Sequence, residues 1–410
     1  MKVQRALLLP FLLSFIIACQ KQRSSPSFSF SPAKGPVGAL LTLNGPFGAD
    51  PVVKINGVPA DSIGIDNSYT KITCRIPAEA TSGRITVSFG NNTLGSGEDF
   101  IVTNKWMKLT DNDGSGNIHE DGVSFVLDKK IYFGLGYSTR TGDPGYYTAT
   151  FNTGFRIFDP AHNTWSAGPQ LPPAMIPRTN AACFALNGKA YIGCGNDTLS
   201  DWWQYDPVLN GTAAWRKMSS NTAGTPSYFG GSGQVAFIWN NTAYAGNPGA
   251  RIYQFDPAAT NPWIPTDNYL SYESVYGSYF VSDNYLYIIG GFYTGISGVP
   301  KAVPVGFRYD LSDHSSFFNA AQFPAAIEGQ PSFALDAIHY ILFLGSTFRF
   351  DPVTQTWIDL GARGTPSFQG GGFPYNNAGL GVSNYTYNAT AFDGAAYAWT
   401  SAGQVYKFVP

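Results

Sequence analysis

Apolar and polar residues alternate in short runs along nearly the whole chain. Between residues 28 and 103 the runs "ALLTLNG", "PVVKING", "KITCRIPAEA" and "GRITVSFG" follow period 2 and are bounded by Gly, Asn or Pro. Such runs predict strands with one buried face. From residue 104 a different pattern takes over and repeats. An apolar strand ending in glycine is written as "KIYFGLG" (130–136), "KAYIGCG" (189–195) and "YLYIIGG" (285–291). A two-residue turn precedes each copy: Asp128-Lys129, Asn187-Gly188, Asn240-Asn241, Asp283-Asn284, Asp336-Ala337 and Asp393-Gly394. Asn, Asp and Gly tolerate the left-handed backbone that tight hairpins demand. Four residues after the first residue of each turn stands a tyrosine: Tyr132, Tyr191, Tyr244, Tyr287, Tyr340 and Tyr397.

Further on comes an aromatic residue followed by Asp-Pro: Phe158-Asp159-Pro160, Tyr205-Asp206-Pro207, Phe255-Asp256-Pro257 and Phe350-Asp351-Pro352. Tyr309-Asp310 keeps the first two positions, with Leu311 third. A tryptophan follows: Trp165, Trp215, Trp263 and Trp357, with Phe317 or Phe318 expected in that slot of the fourth copy. Each copy therefore predicts four strands, at a period of 43 to 59 residues. One such sheet cannot bury both its faces alone, whereas stacked neighbours can. The tyrosines are accordingly expected to pack sheet against sheet.

The sixth copy ends at "QVYKFVP" with no room for its tryptophan, and "NKWMKL", with Trp106, supplies a missing outer strand from the other side. Over residues 104–410 the pattern resembles kelch repeats, which form the blades of β-propellers. The family's double glycine survives fully only at Gly290-Gly291. Gly134 and Gly136, Gly193 and Gly195, Gly246 and Gly345 read as partial remnants. The unit at 28–103 resembles an IPT/TIG domain, most specifically in "IPAEATSGRITV". The expected fold is all-β: an immunoglobulin-like (IPT/TIG) β-sandwich over 28–103, then a six-bladed kelch-type β-propeller over 104–410, closed by the strand at Trp106.

Composition agrees with many short strands. There are 46 Gly and 28 Pro, 13 % charged residues and 15 % aromatics, which argues against both disorder and long helices. The net charge of −2, with no basic cluster, speaks against nucleic acid as a partner. At the start, Lys2 and Arg5 precede an apolar stretch too short for a lasting membrane span, ending at Ile16-Ile17-Ala18-Cys19. This resembles a bacterial lipobox. It implies a signal peptide at 1–18, lipidation of Cys19, a linker at 19–27 and attachment to a membrane by acyl chains. Gln20 favours the outer membrane under the common sorting rule, on its periplasmic or its outer side. Cys74, Cys183 and Cys194 are expected to be buried and unpaired, because the last two lie diagonally across a hairpin.

In a four-stranded blade the loops between second and third strands emerge with the blade-to-blade connections on one face. The tight turns and Asp-Pro turns share the other. The first face carries the long segments 134–154, 290–306 and 361–385, and long loops on a rigid scaffold are the usual place for binding. The candidate ligand-binding residues are Tyr137, Arg140, Tyr146, Tyr147, Trp202, Phe292, Tyr293, Phe373 and Tyr375. Flat rings beside Asn, Asp and Arg suit sugars, whose C–H faces stack and whose hydroxyls need polar partners. Either Trp202 or Trp203 is expected to point into the blade by strand alternation. No catalytic set, cofactor or metal-ligand set is expected. "DNDGSG" at 111–116 lacks the later glutamate of a calcium loop, and His162 and the cysteines do not form the copper set of galactose oxidase.

The favoured reading is a monomeric, non-catalytic envelope lipoprotein of a Bacteroidetes-like bacterium, presenting its propeller to a glycan. One alternative is an enzyme resembling the six-bladed sialic-acid mutarotases, with Arg140, Arg178, Glu273 and Glu328 as candidate groups. The other is a propeller that docks an envelope protein.

Overall fold

The computed structural model describes residues 27–410 apart from 116, 118, 144–145, 197–198, 219–234, 247–250, 270–276, 294–300, 319, 328–329, 366–385 and 401–402. It describes backbone only at 27, 139–143, 146–148, 267–269, 292–293, 301–302, 318 and 386–387. The chain divides into two compact units between Ile101 and Val102. Among the described residues no helix is long and apolar enough to cross a membrane. Cys19 and the stretch before it lie outside the described residues.

The N-terminal unit is all strand, and its alternating runs bury one residue in two. Leu41, Leu43, Val53, Ile55, Ile72, Cys74, Ile85, Val87 and Phe100 are all fully buried. Strand Ser27–Ser31 joins two ladders. Its first two residues run parallel to Gly95 and Ser96, and its last three run antiparallel to Thr42–Asn44.

The second unit contains six four-stranded sheets, one per repeat. Blade I is Val123–Leu127, Lys130–Gly134, Gly154–Asp159 and Thr164–Gln170; blades II to VI begin at Ala182, Val235, Ser278, Ser332 and Thr386. The first strands of successive blades touch in a closed cycle, that of blade VI meeting that of blade I. They are therefore the innermost strands of a six-bladed ring. Strand Lys105–Thr110 pairs antiparallel with Val405–Val409 and completes blade VI as its outer strand.

The repeated residues explain themselves at the interfaces. Each tight turn sets the tyrosine opposite the third-last residue of the first strand, and five of the six partners are phenylalanines. Phe125–Tyr132, Phe184–Tyr191, Phe237–Tyr244, Phe280–Tyr287 and Phe333–Tyr340 stack at 4.9–5.4 Å between ring centres. The tyrosine then meets the aromatic residue of the Asp-Pro motif one blade on, as in Tyr191–Phe255 at 4.6 Å and Tyr287–Phe350 at 5.1 Å. That residue lies opposite the tryptophan of its own blade, as Phe255 does to Trp263 and Phe350 to Trp357. All six tyrosines are buried, and each belongs to a different apolar cluster, one cluster per interface. The aspartates have a separate task. Asp159, Asp206, Asp256, Asp310 and Asp351 each accept a hydrogen bond from the backbone N–H two residues ahead, closing the turn with the side chain.

Three expectations need correction. In blade IV the tryptophan slot holds Ser316, opposite Tyr309, not Phe317 or Phe318; Phe317 is instead exposed and lies against the Arg308 guanidinium. The positions equivalent to Gly290-Gly291 are Leu135-Gly136 and Cys194-Gly195, all with left-handed φ. Gly134 and Gly193 are not part of those pairs. Instead Gly193 makes room for Trp202, whose indole lies where a Cβ would stand. Cys183 is half-buried rather than buried, though all three described cysteines are free.

Candidate functional site

The face opposite the tight turns carries two added hairpins, at the same point of two repeats. In blade I the chain leaves Lys130–Gly134 through Leu135 and Gly136, with φ of 60° and 73°. Gly136 donates its N–H to the Arg178 carbonyl at 2.9 Å, and Tyr137 to that of Glu120 at 2.8 Å. A Cβ on Gly136 would collide with that Glu120 carbonyl, so glycine is required here. Strand Tyr137–Asp143 then pairs with Tyr146–Phe151. Buried Asn152 fixes the base: its amide donates to the carbonyls of Leu135 (3.0 Å) and Tyr137 (3.1 Å), and accepts from Asn117 (3.2 Å). Across this hairpin Tyr137 and Phe151 bring their rings to 5.3 Å at 31°, and Phe151 is 39 % exposed.

In blade IV, Gly290 and Gly291 make the same exit, and Gly291 donates to the Ile327 carbonyl at 2.7 Å. Strand Phe292–Tyr293 then pairs with Lys301–Ala302. Blades I and IV lie three places apart in a ring of six, so the two hairpins rise from opposite sides of the axis.

Six of the nine candidate residues ride on these hairpins: Tyr137, Arg140, Tyr146, Tyr147, Phe292 and Tyr293. The backbone sets Arg140 opposite Ala149, Asp143 opposite Tyr146, and Gly142 opposite Tyr147. Phe373 and Tyr375 lie outside the described residues, as do Glu273 and Glu328 among the charged candidates. Trp202 is not a site residue. It is 1 % exposed and packs at 4.6 Å from Trp263, in the interface of blades II and III. Trp203 is buried as well, on the other side, between blades I and II. Alternation sends the two rings to opposite faces of the sheet as expected, but both faces are covered, so neither ring reaches solvent.

The charged groups of this face that the structure describes are largely engaged with one another. Arg178 is fully buried. Its guanidinium donates to the carbonyls of Ile176 (3.0 Å) and Cys194 (3.1 Å) and to both carboxylate oxygens of Asp201 (2.9 and 3.4 Å). Trp203 Nε1 donates to the same carboxylate at 2.7 Å, and Lys217 stands 3.9 Å away. Burial opposes ionisation of Asp201, yet Arg178, Trp203 and Lys217 outweigh it and hold the carboxyl below its usual range. Arg178 thus pins the connection between blades I and II, and it is withdrawn from any contact with a ligand.

Asp113 of the "DNDGSG" segment is buried too. It accepts from Ser115 N–H (2.8 Å) and Oγ (2.7 Å) and faces His119 Nε2 at 3.3 Å. Burial works against its charge, but His119 and Ser115 keep its carboxyl below the usual value. His119 in turn lies 4.4 Å from the Trp399 ring. Among the described residues no group of three or more His, Cys, Asp or Glu is placed to hold a metal ion.

No protein-family model matches the chain, and no curated protein matches its sequence. Among solved structures it is similar to an auxiliary nutrient binding protein from Bacteroides ovatus, at 13 % identity over 94 % of this chain and 98 % of that one, with a TM-score of 0.48. It is similar to another auxiliary nutrient binding protein, from Bacteroides thetaiotaomicron, at 13 % identity over 94 % and 97 %, with a TM-score of 0.45. A third, a protein of unknown function from Bacteroides thetaiotaomicron, matches at 12 % identity over 95 % and 98 %, with a TM-score of 0.44. Likenesses this distant assign no activity. The function has to be argued from the residues of the chain itself.

Proposed function

We propose that the protein is a non-catalytic binding module of the cell envelope, whose propeller takes a glycan between the two hairpins of its loop face. The observation that carries this reading is the pair of hairpins on opposed blades, both rooted through left-handed residues and bearing six of the residues selected for stacking and hydrogen bonding. Rigid roots matter because a preorganised surface loses less entropy on binding. The engagement of Arg178 with Asp201 also removes one of the four groups that a mutarotase-like site would have used.

On this reading Cys19 carries the lipid anchor, at the outer membrane, and the unit at 28–103 is an IPT/TIG-type spacer. The propeller itself is of kelch type. A glycan array probed with soluble chain starting near residue 25 tests the reading. Selective binding to one sugar class, lost on replacing Tyr146, Tyr147 and Tyr293 by Ala, is the expected result. Binding that survives in the folded triple variant would remove the hairpins from the site, and a blank array would favour a protein partner.

A further inference from the structure

The hairpin of blade I has two unlike faces, and a bulge decides which residues share each. Tyr137 stands opposite Phe151, yet the next pair is Thr139 with Thr150, so Ser138 is one residue too many on its strand. Its Oγ lies 2.6 Å from Thr150 Oγ1. That is the side away from the rings, because Thr150 and Phe151 are consecutive on one strand. Unbroken alternation from Tyr137 would have placed Thr139, Thr141 and Asp143 on the ring side and Arg140 on the other. The extra residue reverses this. Arg140 stands opposite Ala149 and Gly142 opposite Tyr147, and Ala149 and Tyr147 share the face of Phe151 by alternation along Tyr146–Phe151. Thr141, Asp143 and Tyr146 fall on the face of Thr150.

The ring face therefore carries Tyr137 and Phe151 at its foot, Arg140 at the next level and Tyr147 at the level beyond. Successive levels lie about 7 Å apart along the strand. Small residues, Ala149 and Gly142, stand across from Arg140 and Tyr147. Both faces meet solvent at the foot, where Phe151 is 39 % exposed on one and Thr150 is exposed on the other. Glu120 is bridged to Tyr137 and belongs to the foot level. The interval between the two ring levels thus holds Arg140 and no acid of either hairpin strand.

We propose that this ring face is the binding surface of the hairpin and that its ligand is an acidic glycan, with a uronic-acid carboxylate taken by Arg140 while neighbouring sugar units stack at the Phe151 and Tyr147 levels. The proposal rests on the glycan reading and narrows it. Phe151, which the sequence did not single out, becomes a binding residue: with Tyr137 at 5.3 Å and 31° it forms a broad apolar platform of the kind that a sugar C–H face can cover. Tyr146 leaves the site, because its face is the one with hydroxyls and Asp143. The carboxylate follows from Arg140. A guanidinium presents a planar fork of donors that matches a carboxylate in two parallel hydrogen bonds, and the bulge sets that cation, in place of Asp143, among the rings. Bulges next to binding sites commonly serve to re-aim a side chain in this way.

The test sets oligomers of galacturonate, of alginate and of hyaluronan each beside its own methyl ester, together with neutral oligosaccharides, and measures binding to the soluble chain by calorimetry. At least one acid should bind, and about tenfold more tightly than its ester, the worth of a charged hydrogen bond. Arg140→Gln should bring the acid down to the affinity of the ester and leave the ester unchanged, and Arg140→Lys should recover part of the difference. Phe151→Ala and Tyr147→Ala should each weaken acid and ester alike, whereas Tyr146→Ala should bind like the parent. Melting temperatures establish that each variant is folded, and Phe151→Leu replaces Phe151→Ala if the latter is not. Equal binding of acid and ester, or an Arg140→Gln variant that still prefers the acid, would overturn the acidic ligand and leave the glycan reading standing. Binding that survives Phe151→Ala and is lost with Tyr146→Ala would overturn the choice of face. No binding to any of these sugars would overturn the proposal together with the glycan reading.

Discussion

Replacing Trp106 by Ala tests how the ring is closed. The indole is 2 % exposed, stacks on Phe408 at 5.1 Å, meets Phe333 edge-on at 5.9 Å and donates from Nε1 to Thr347 Oγ1 at 2.8 Å. It thereby touches strands of blades V and VI together. Truncating a buried Trp to Ala costs about 3–5 kcal/mol. The hydrogen bond adds little, because Thr347 keeps Thr365 as a partner at 3.1 Å. For a unit of this size the loss corresponds to roughly 5–8 °C in melting temperature. Urea denaturation of Trp106→Ala and the parent, read by fluorescence and circular dichroism, gives the difference in stability. Limited trypsin digestion supplies a second readout, since Lys105 and Lys108 lie on the strand that should loosen first. Trp357→Ala is the control: Trp357 is also buried, in the interface of blades IV and V. It should lower stability without exposing residues 105–110. An unchanged urea midpoint for Trp106→Ala, or cleavage no faster than in Trp357→Ala, would refute closure by this strand.

The Tyr146, Tyr147 and Tyr293 triple Ala variant should lose glycan binding while each substitution changes stability by only about 0.5 kcal/mol, as is usual for surface positions; a large fall in melting temperature would show that these rings pack instead. Asp201 has a depressed folded pKa, so its ion pair with Arg178 contributes stability that is present above the ordinary carboxylate range and is lost as pH falls below it. Asp201→Asn should therefore lower stability at pH 7 and flatten the acid limb below about pH 4, and parallel acid limbs would contradict this. His339 works in the other direction. Burial lowers its pKa from 6.5 to about 4, so the unfolded chain takes up the proton first, and stability falls as pH drops from about 6.5 towards 4. The full loss is about 3 kcal/mol. Urea midpoints for His339→Phe should lack that slope, and a slope equal to the parent's would mean that the imidazole is not held neutral.

The frame of the ring was legible because its residues do one job six times. Tyrosine, Asp-Pro and tryptophan recur at fixed offsets wherever the same interface must be filled, and Trp106 could be recognised as the outer-strand residue missing from the sixth copy. Where a residue has left the frame, the register is lost with it. Phe317 and Phe318 both looked able to replace a tryptophan, yet Ser316 holds the place and Phe317 turns out to solvent. The error at Trp202 has a different cause. Alternation separates inside from outside only when a sheet has an outside, and a propeller blade is covered on both faces.

The long inserts were legible as loops of one face, but their hairpin form at Tyr137–Phe151 and Phe292–Ala302 depends on left-handed exits that are Gly290-Gly291 in one blade and Leu135-Gly136 in the other.

Strand Lys105–Thr110 is made early, and its partner Val405–Val409 about 300 residues later. At roughly 5–20 residues per second, synthesis of the intervening chain takes on the order of 15–60 seconds. During that interval the early strand has no strand paired to it, and an unpaired edge invites pairing with another chain. Lys105 and Lys108 within its six residues put positive charge where an unwanted partner would have to approach, the usual protection for an open edge. The same two lysines that mark the strand for trypsin therefore guard it while it waits.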